Sequence, residues 1–186
     1  MTKVVQTLLI ANVIAFFVQN TRPDIANAFV FVPYFMFARP WTIVTYMFLH
    51  GGLMHLLFNM MSLFFFGPRV EQVMGTRRFT IMYFLSGISG ALLSFALSPN
   101  AALVGASAGV FGVMLAFAHY WPDQIIMIWG VIPVPARLLV ILTTILAFWM
   151  GFGGSRDGVA HFAHLGGYAG AWVYLLLIDR SRKAFR

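Results

Sequence analysis

Apolar runs dominate this chain to a degree that no water-soluble domain of its size can hide. Of its 186 residues, 61% are hydrophobic and 9% charged, whereas soluble domains carry about 25% charged residues. So much apolar surface has no interior to occupy in a small body. The chain is therefore predicted to be an all-α, polytopic integral membrane protein whose apolar runs are its spans. Six are drawn: Val4–Val18, Leu53–Phe66, Phe79–Leu97, Ser107–Tyr120, Ala136–Met150 and Val159–Ile178. Several fall short of the ~20 residues a bilayer needs, which predicts local thinning or polar helix ends sunk below the surface. The runs are continuous rather than alternating, which argues against a β-barrel. No repeat or composition break divides the chain, so residues 1–186 read as one six-span domain.

Basic residues set the expected orientation. With the N-terminus inside, Lys3, Arg69, Arg77, Arg78, Arg137, Arg180, Arg182, Lys183 and Arg186 lie on the inner side, against Arg22, Arg39 and Arg156 outside. That asymmetry places both termini in the cytoplasm, and a bacterial inner membrane is the expected location. The net charge of +7 thus reads as topology and anionic-lipid attraction, with the bilayer and not nucleic acid as partner. The first run, preceded by Lys3 and followed by Ala26-Asn27-Ala28, has features of a cleaved leader. It is read as a span, because its removal would put the basic C-terminus outside. No cysteine is present, which excludes disulfides, a thiol nucleophile and zinc–thiolate sites.

Two outer connections are unlike each other. Residues 19–52 interleave Pro23, Pro33 and Pro40 with Phe29, Phe31, Tyr34, Phe35, Phe37 and Trp41, a pattern expected to lie in the membrane interface. Residues 151–158 are glycine-rich and expected to move as a lid.

Polar residues inside spans are costly and need a reason. His55 and Asn59 lie four apart, on one face of span two; Ser107 opens span four; His161 and His164 share a face near the start of span six. Counting ~1.5 Å per residue from inner boundaries at Gly67-Pro68-Arg69, Trp121-Pro122-Asp123 and Asp179-Arg180 puts His55 at ~18 Å, Ser107 at ~21 Å and His164 at ~22 Å. Asn59 falls at ~12 Å. The first three share a level ~10 Å beneath the outer surface of a ~30 Å core. Gly105-xxx-Gly109 and Gly166-Gly167-xx-Gly170 are small-residue patterns that let membrane helices approach closely.

This set of residues has a chemistry. A serine hydroxyl becomes a nucleophile when a base takes its proton, and histidine has a suitable pKa. An acyl transfer also needs donors for the oxyanion. His55, Asn59 and the Ser107 N–H at a helix start can supply them. A Ser107–His164 dyad is the economical reading, with His161 as rim residue or alternative base. Asp157 is a weak candidate for a third member. Phe111, four residues after Ser107, either packs against the His164 ring or is an ordinary core phenylalanine. His119 is expected at the inner interface, and Glu71 is expected to brace the inner loop through Arg69, Arg77 or Arg78. The Gly-x-Ser-x-Gly pattern by itself is weak, since the hydrolase fold that uses it needs a parallel sheet.

With these residues in place, the chain resembles the rhomboid family of intramembrane serine proteases. The likeness runs from Trp41 to Gly170 in order, through His50-Gly51-Gly52-Leu53-Met54-His55-Leu56-Leu57-Phe58-Asn59, Gly105-Ala106-Ser107 and Ala163-His164-Leu165-Gly166-Gly167. The resemblance implies Ser107 as nucleophile, His164 as base and then acid, and His55 and Asn59 as oxyanion donors beside the Ser107 amide. It implies cleavage of single-span membrane proteins near the outer side, with no cofactor, metal or nucleotide. Span five and the loop after it would be gate and cap. Two residues depart from the family pattern: Thr42 follows Trp41 where many members carry arginine, and Phe111 stands where many carry tyrosine. The alternative within the family is an inactive binder of transmembrane helices, which lacks the serine or the histidine. Outside it stands a histidine-ligated metalloenzyme built on His50, His55, His161 and His164, which would leave Ser107 idle and lacks a His-Glu-x-x-His motif.

Overall fold

The structure, a computed structural model, describes residues 1–128, 130–153 and 159–184, with side chains up to residue 178. Eight α-helices follow in chain order: α1 (Lys3–Thr21), α2 (Pro23–Ala26), α3 (Thr42–Thr45), α4 (Leu53–Met74), α5 (Thr76–Leu97), α6 (Ser107–Tyr120), α7 (Ala136–Phe152) and α8 (His161–Ala184). Three of them, α1, α4 and α5, have both the length and the composition to cross a bilayer; α6 and α7 are apolar but shorter.

α8 packs most extensively on α5, then on α6, while α4 joins α6 from the far side and carries α1 on its outer face. α7 touches little beyond α8 and α6. Close approach depends on glycine. A Cβ on Gly166 would come within 2.7 Å of the Gly90 Cα, and one on Gly167 within 2.9 Å of the Ala108 carbonyl carbon. α8 therefore meets α5 and α6 backbone to backbone, as membrane helix pairs do where apolar area gives no drive to associate. The Gly105-xxx-Gly109 pair does not act as one packing stripe: Gly109 faces the Tyr83 ring on α5, and Gly105 lies in the loop before α6.

The end of the bundle remote from Ser107 departs from expectation in two ways. α4 does not stop at Gly67-Pro68 but continues through Pro68 to Met74. A proline costs a helix one amide bond, yet this last stretch is anchored by buried Glu71. Its carboxylate accepts the Val4 and Val5 amides at 3.3 and 3.1 Å and the Thr76 hydroxyl at 3.1 Å. Glu71 thus ties the start of α1, where free N–H groups and the helix dipole favour an anion, to the start of α5. The three arginines expected to hold it act elsewhere or lie exposed: Arg69 stacks over Trp121 and Phe117 and reaches Gln124, and Arg77 and Arg78 stand at the exposed start of α5. The α6–α7 connection lies at the same end and is ordered. It forms an antiparallel hairpin, β1 (Ile125–Ile128) with β2 (Ile132–Pro135), closed at its base by Arg137 and Asp123 at 3.1 Å.

The long connection between α1 and α4 is pinned at several points. Phe31 is fully buried and exchanges two backbone bonds with Leu103. Trp41 donates its indole N–H to Ala28 O at 2.8 Å, and buried Thr42, where arginine was the family expectation, bonds only locally to Arg39 O. Tyr34 and Phe37 stay exposed. The glycine-rich segment expected to act as a lid lies, at residues 154–158 with Asp157, outside the described residues.

Candidate active site

Ser107 is the first residue of α6, entered through Gly105 at φ +125. Only glycine takes that backbone conformation without strain. A Cβ there would also press within 2.6 Å of the His55 ring. One glycine thus turns the chain into α6 and leaves room for an imidazole above the serine. Its own amide is held by Tyr46 O at 2.9 Å, and the Tyr46 hydroxyl donates to Gly87 O at 2.8 Å, locking the turn to α5. The first α6 amide with a helical acceptor is that of Val110, to Ala106 O at 3.0 Å. The Ser107, Ala108 and Gly109 amides precede it at the electropositive helix start.

His164 arrives from the first turn of α8. Its Nε2 lies 2.9 Å from Ser107 Oγ. The Phe111 ring covers the imidazole face at a 4.1 Å centroid distance and 17° between planes, so the packing alternative for Phe111 holds. If Nε2 accepts from the serine, the imidazole proton sits on Nδ1.

His55 sits across the same space. The Gly51 amide points at its Nδ1, at 3.4 Å. A backbone N–H can only donate, so Nδ1 accepts and Nε2 carries the hydrogen. That hydrogen is on the ring edge over Gly105, beside Ser107. Buried Asn59 donates its side-chain amide to His55 O at 3.0 Å, so one of its donors is engaged on its own helix. All four polar residues line one cavity of about 490 Å³, together with Ser62 and with Phe58, Val104 and Met114 among its apolar walls. His161 lies elsewhere. It is buried against a neighbouring cavity of about 350 Å³ with Ser94, Ser98 and Phe162, its ring 6.3 Å from that of His164.

His50 is buried beneath the site, its ring edge-on to His55 at 5.1 Å. Burial first, and His55 second, push its imidazole down to about 4. Gln19 grips its backbone as a strand neighbour would, accepting from His50 N at 2.8 Å and donating to His50 O at 2.6 Å. No set of three His, Asp or Glu side chains converges on a metal-binding position among the described residues. His119 is exposed on the last turn of α6, at the far end from Ser107.

Sequence reasoning did not find Gln19, Tyr168 or Thr143, and it named Glu71 with other partners than Val4, Val5 and Thr76. The Tyr168 ring backs Phe111 at 5.0 Å, and its hydroxyl lies 2.7 Å from that of Thr143 on α7. Its position four residues after His164, mirroring Phe111 after Ser107, was the available signal.

Residues 38–181 match the Rhomboid domain. The chain is 35% identical over 140 residues to RHOMBOID-like protein 4 of Arabidopsis thaliana, covering 74% of this chain and 34% of that protein. It is 36% identical over 157 residues to Rhomboid-related protein 1 of Caenorhabditis elegans, covering 80% and 41%. Rhomboid protease GluP of Bacillus subtilis is 30% identical over 132 residues, covering 71% and 25%. The aligned part is thus well under half the length of these relatives.

Proposed function

The chain belongs to the rhomboid family, and from that premise we propose that it is an intramembrane serine endopeptidase with a Ser107–His164 dyad. The observation that carries this reading is the 2.9 Å contact from His164 Nε2 to Ser107 Oγ, beneath a stacked Phe111 and open to a cavity. Ser107 Oγ attacks the scissile carbonyl carbon while Nε2 takes its proton. The carbonyl oxygen becomes an oxyanion that meets the Ser107 amide and the His55 Nε2–H, joined by the second Asn59 amide hydrogen when that side chain turns into the cavity. The imidazolium then gives its proton to the departing amine, and the C–N bond breaks. Water, deprotonated by His164, attacks the acyl-enzyme carbonyl, and its collapse regenerates the Ser107 hydroxyl.

The substrates are single-span membrane proteins, cut near the outer side of the bilayer. In this reading α1, α4, α5, α6, α7 and α8 are the six spans, both termini are cytoplasmic and the protein resides in a bacterial inner membrane. The shortness of α6 supports the expected depth. At 14 residues it covers ~21 Å, so a ~30 Å core leaves Ser107 about 10 Å below the outer face.

The test is labelling of the detergent-purified protein with a fluorescent fluorophosphonate. Wild type is expected to label, with Ser107→Ala and His164→Ala silent though folded. Equal signal from Ser107→Ala sinks the dyad. A folded wild type that neither labels nor cuts a model span is instead the inactive helix binder.

A further inference from the structure

We propose that Tyr168 and Thr143 are a positioning pair that holds the His164 imidazole in line with Ser107 and makes that alignment depend on how α7 is seated. The inference rests on the protease reading above and adds two residues to it.

Two helices contribute interleaved pairs. Ser107 and Phe111 stand four apart on α6; His164 and Tyr168 stand four apart on α8. Between them they form a single file. Ser107 Oγ meets His164 Nε2 at 2.9 Å, the His164 ring stacks on Phe111 at 4.1 Å, and Phe111 meets the Tyr168 ring at 5.0 Å and 52°. An imidazole that tips toward Phe111 meets that ring, and Phe111 in turn meets Tyr168.

The hydroxyl at the end of the file fixes Tyr168. Its oxygen lies 2.7 Å from Thr143 Oγ1, which itself lies 2.7 Å from Leu139 O and 3.1 Å from Val140 O. Carbonyls only accept, so the threonine proton goes to its own helix and the tyrosine hydroxyl donates to Thr143. The direction of every bond is thereby set. Tyr168 is 6% exposed, so water has little access to replace the partner.

α7 is lightly packed for a long helix. Only Ala136 and Ala147 are buried on it, while Leu138, Ile141, Leu142, Ile145 and Leu146 face outward. When α7 swings away, Thr143 withdraws the acceptor, Tyr168 is freed to rock, and Phe111 loses its backing. The dyad is then aligned when α7 is home and loosened when it is out, so opening the site and arming the serine are opposed.

The experiment is the second-order rate of fluorophosphonate labelling, which reports the serine without a transmembrane substrate. Tyr168→Phe keeps the ring and removes the bond. It is expected to slow labelling about 3- to 10-fold, the reach of one membrane-buried hydrogen bond, with an unfolding midpoint near wild type. Thr143→Ala is expected to match it, and Thr143→Ser to restore the rate. The double variant should be no slower than the slower single one, since both remove the same bond. A merely structural role gives neither rescue nor this non-additivity. Wild-type labelling by Tyr168→Phe, failure of Thr143→Ser to restore, or multiplying effects each overturn the proposal. If Tyr168→Phe does not fold, the Thr143 variants decide alone. If wild type itself does not label, the protease reading has failed and this inference with it; normal labelling by wild type and all variants overturns the inference only.

Discussion

α8 and α7 are neighbouring apolar helices on the same side of the candidate site, and they are held in opposite ways. α8 has Gly166 and Gly167 where any side chain would strike the backbone of α5 or α6. α7 is richer in large aliphatic residues, yet buries only two alanines. In water the more apolar helix would be the better buried one. Between lipid-like surfaces hydrophobicity gives no preference for protein over lipid, and the distance between backbones decides. His164, the proposed base, and Tyr168, whose ring meets Phe111, are on the close-packed helix, while Thr143 is on the loosely held one.

The strongest way to break this contrast is Gly167→Val. With a Cβ 2.9 Å from Ala108 Cα, α8 must retreat from α6, and the dyad is expected to lose at least about 100-fold in labelling rate through misplacement alone. A loss under threefold with unchanged unfolding would show that close approach is not what holds the frame. Phe111→Ala tests the frame from within: cleavage of a model span should fall about 10- to 100-fold, while Phe111→Tyr, which keeps the ring, stays near wild type. Glu71→Gln carries the comparison to the end of the bundle remote from Ser107. Removing the charge from a carboxylate that caps two α1 amides should cost about 1–2 kcal/mol of stability, read in a denaturation titration, with labelling at low temperature changed less than twofold.

A pH scan sharpens it further. His50 stays neutral in the folded protein down to about 4, whereas an unfolded imidazole takes up its proton near 6.5. Between those values the unfolded state binds more protons, so stability is expected to fall as pH drops from about 6.5 toward 4. His50→Gln should flatten that slope; an equal slope in the variant would assign it to other groups. Smallest of all, Leu142→Ala or Ile145→Ala on the outward face of α7 should shift stability by less than about 0.5 kcal/mol, measured in the same titration.

What the sequence discloses depends on how far apart the partners are. Ser107 and His164 were legible because each carries its own glycine context and a countable distance to a helix end. Helix α6 begins and ends where turn and proline signals place it. Pro68 misled, because a proline reads locally as a stop, while the contact that carries α4 past it joins Glu71 to residues 66 and 67 positions away. The hairpin after α6 was hidden for other reasons: Ile125–Ile128 is uniformly apolar, with no alternation to mark a strand, and Ile132–Pro135 carries Pro133 and Pro135, which read against one. Gln19 and Thr143 were invisible as well, since a polar residue on an apolar helix names no partner until the helices are assembled.

Helix α6 has one more consequence. Its 14 residues fall about six short of a full crossing, and six residues are ~9 Å of rise. That shortfall matches the distance by which Ser107 is expected to sit below the surface. The proposed hydrolysis needs water where lipid would exclude it, and a well for that water would be made by omission: the helix begins about 1.7 turns short of a full crossing. Its depth is therefore a length written in residues. A turn inserted between Ser107 and Val110 would lift that floor by ~5.4 Å and carry Ser107 off its 2.9 Å contact with His164, so the depth and the dyad are set together.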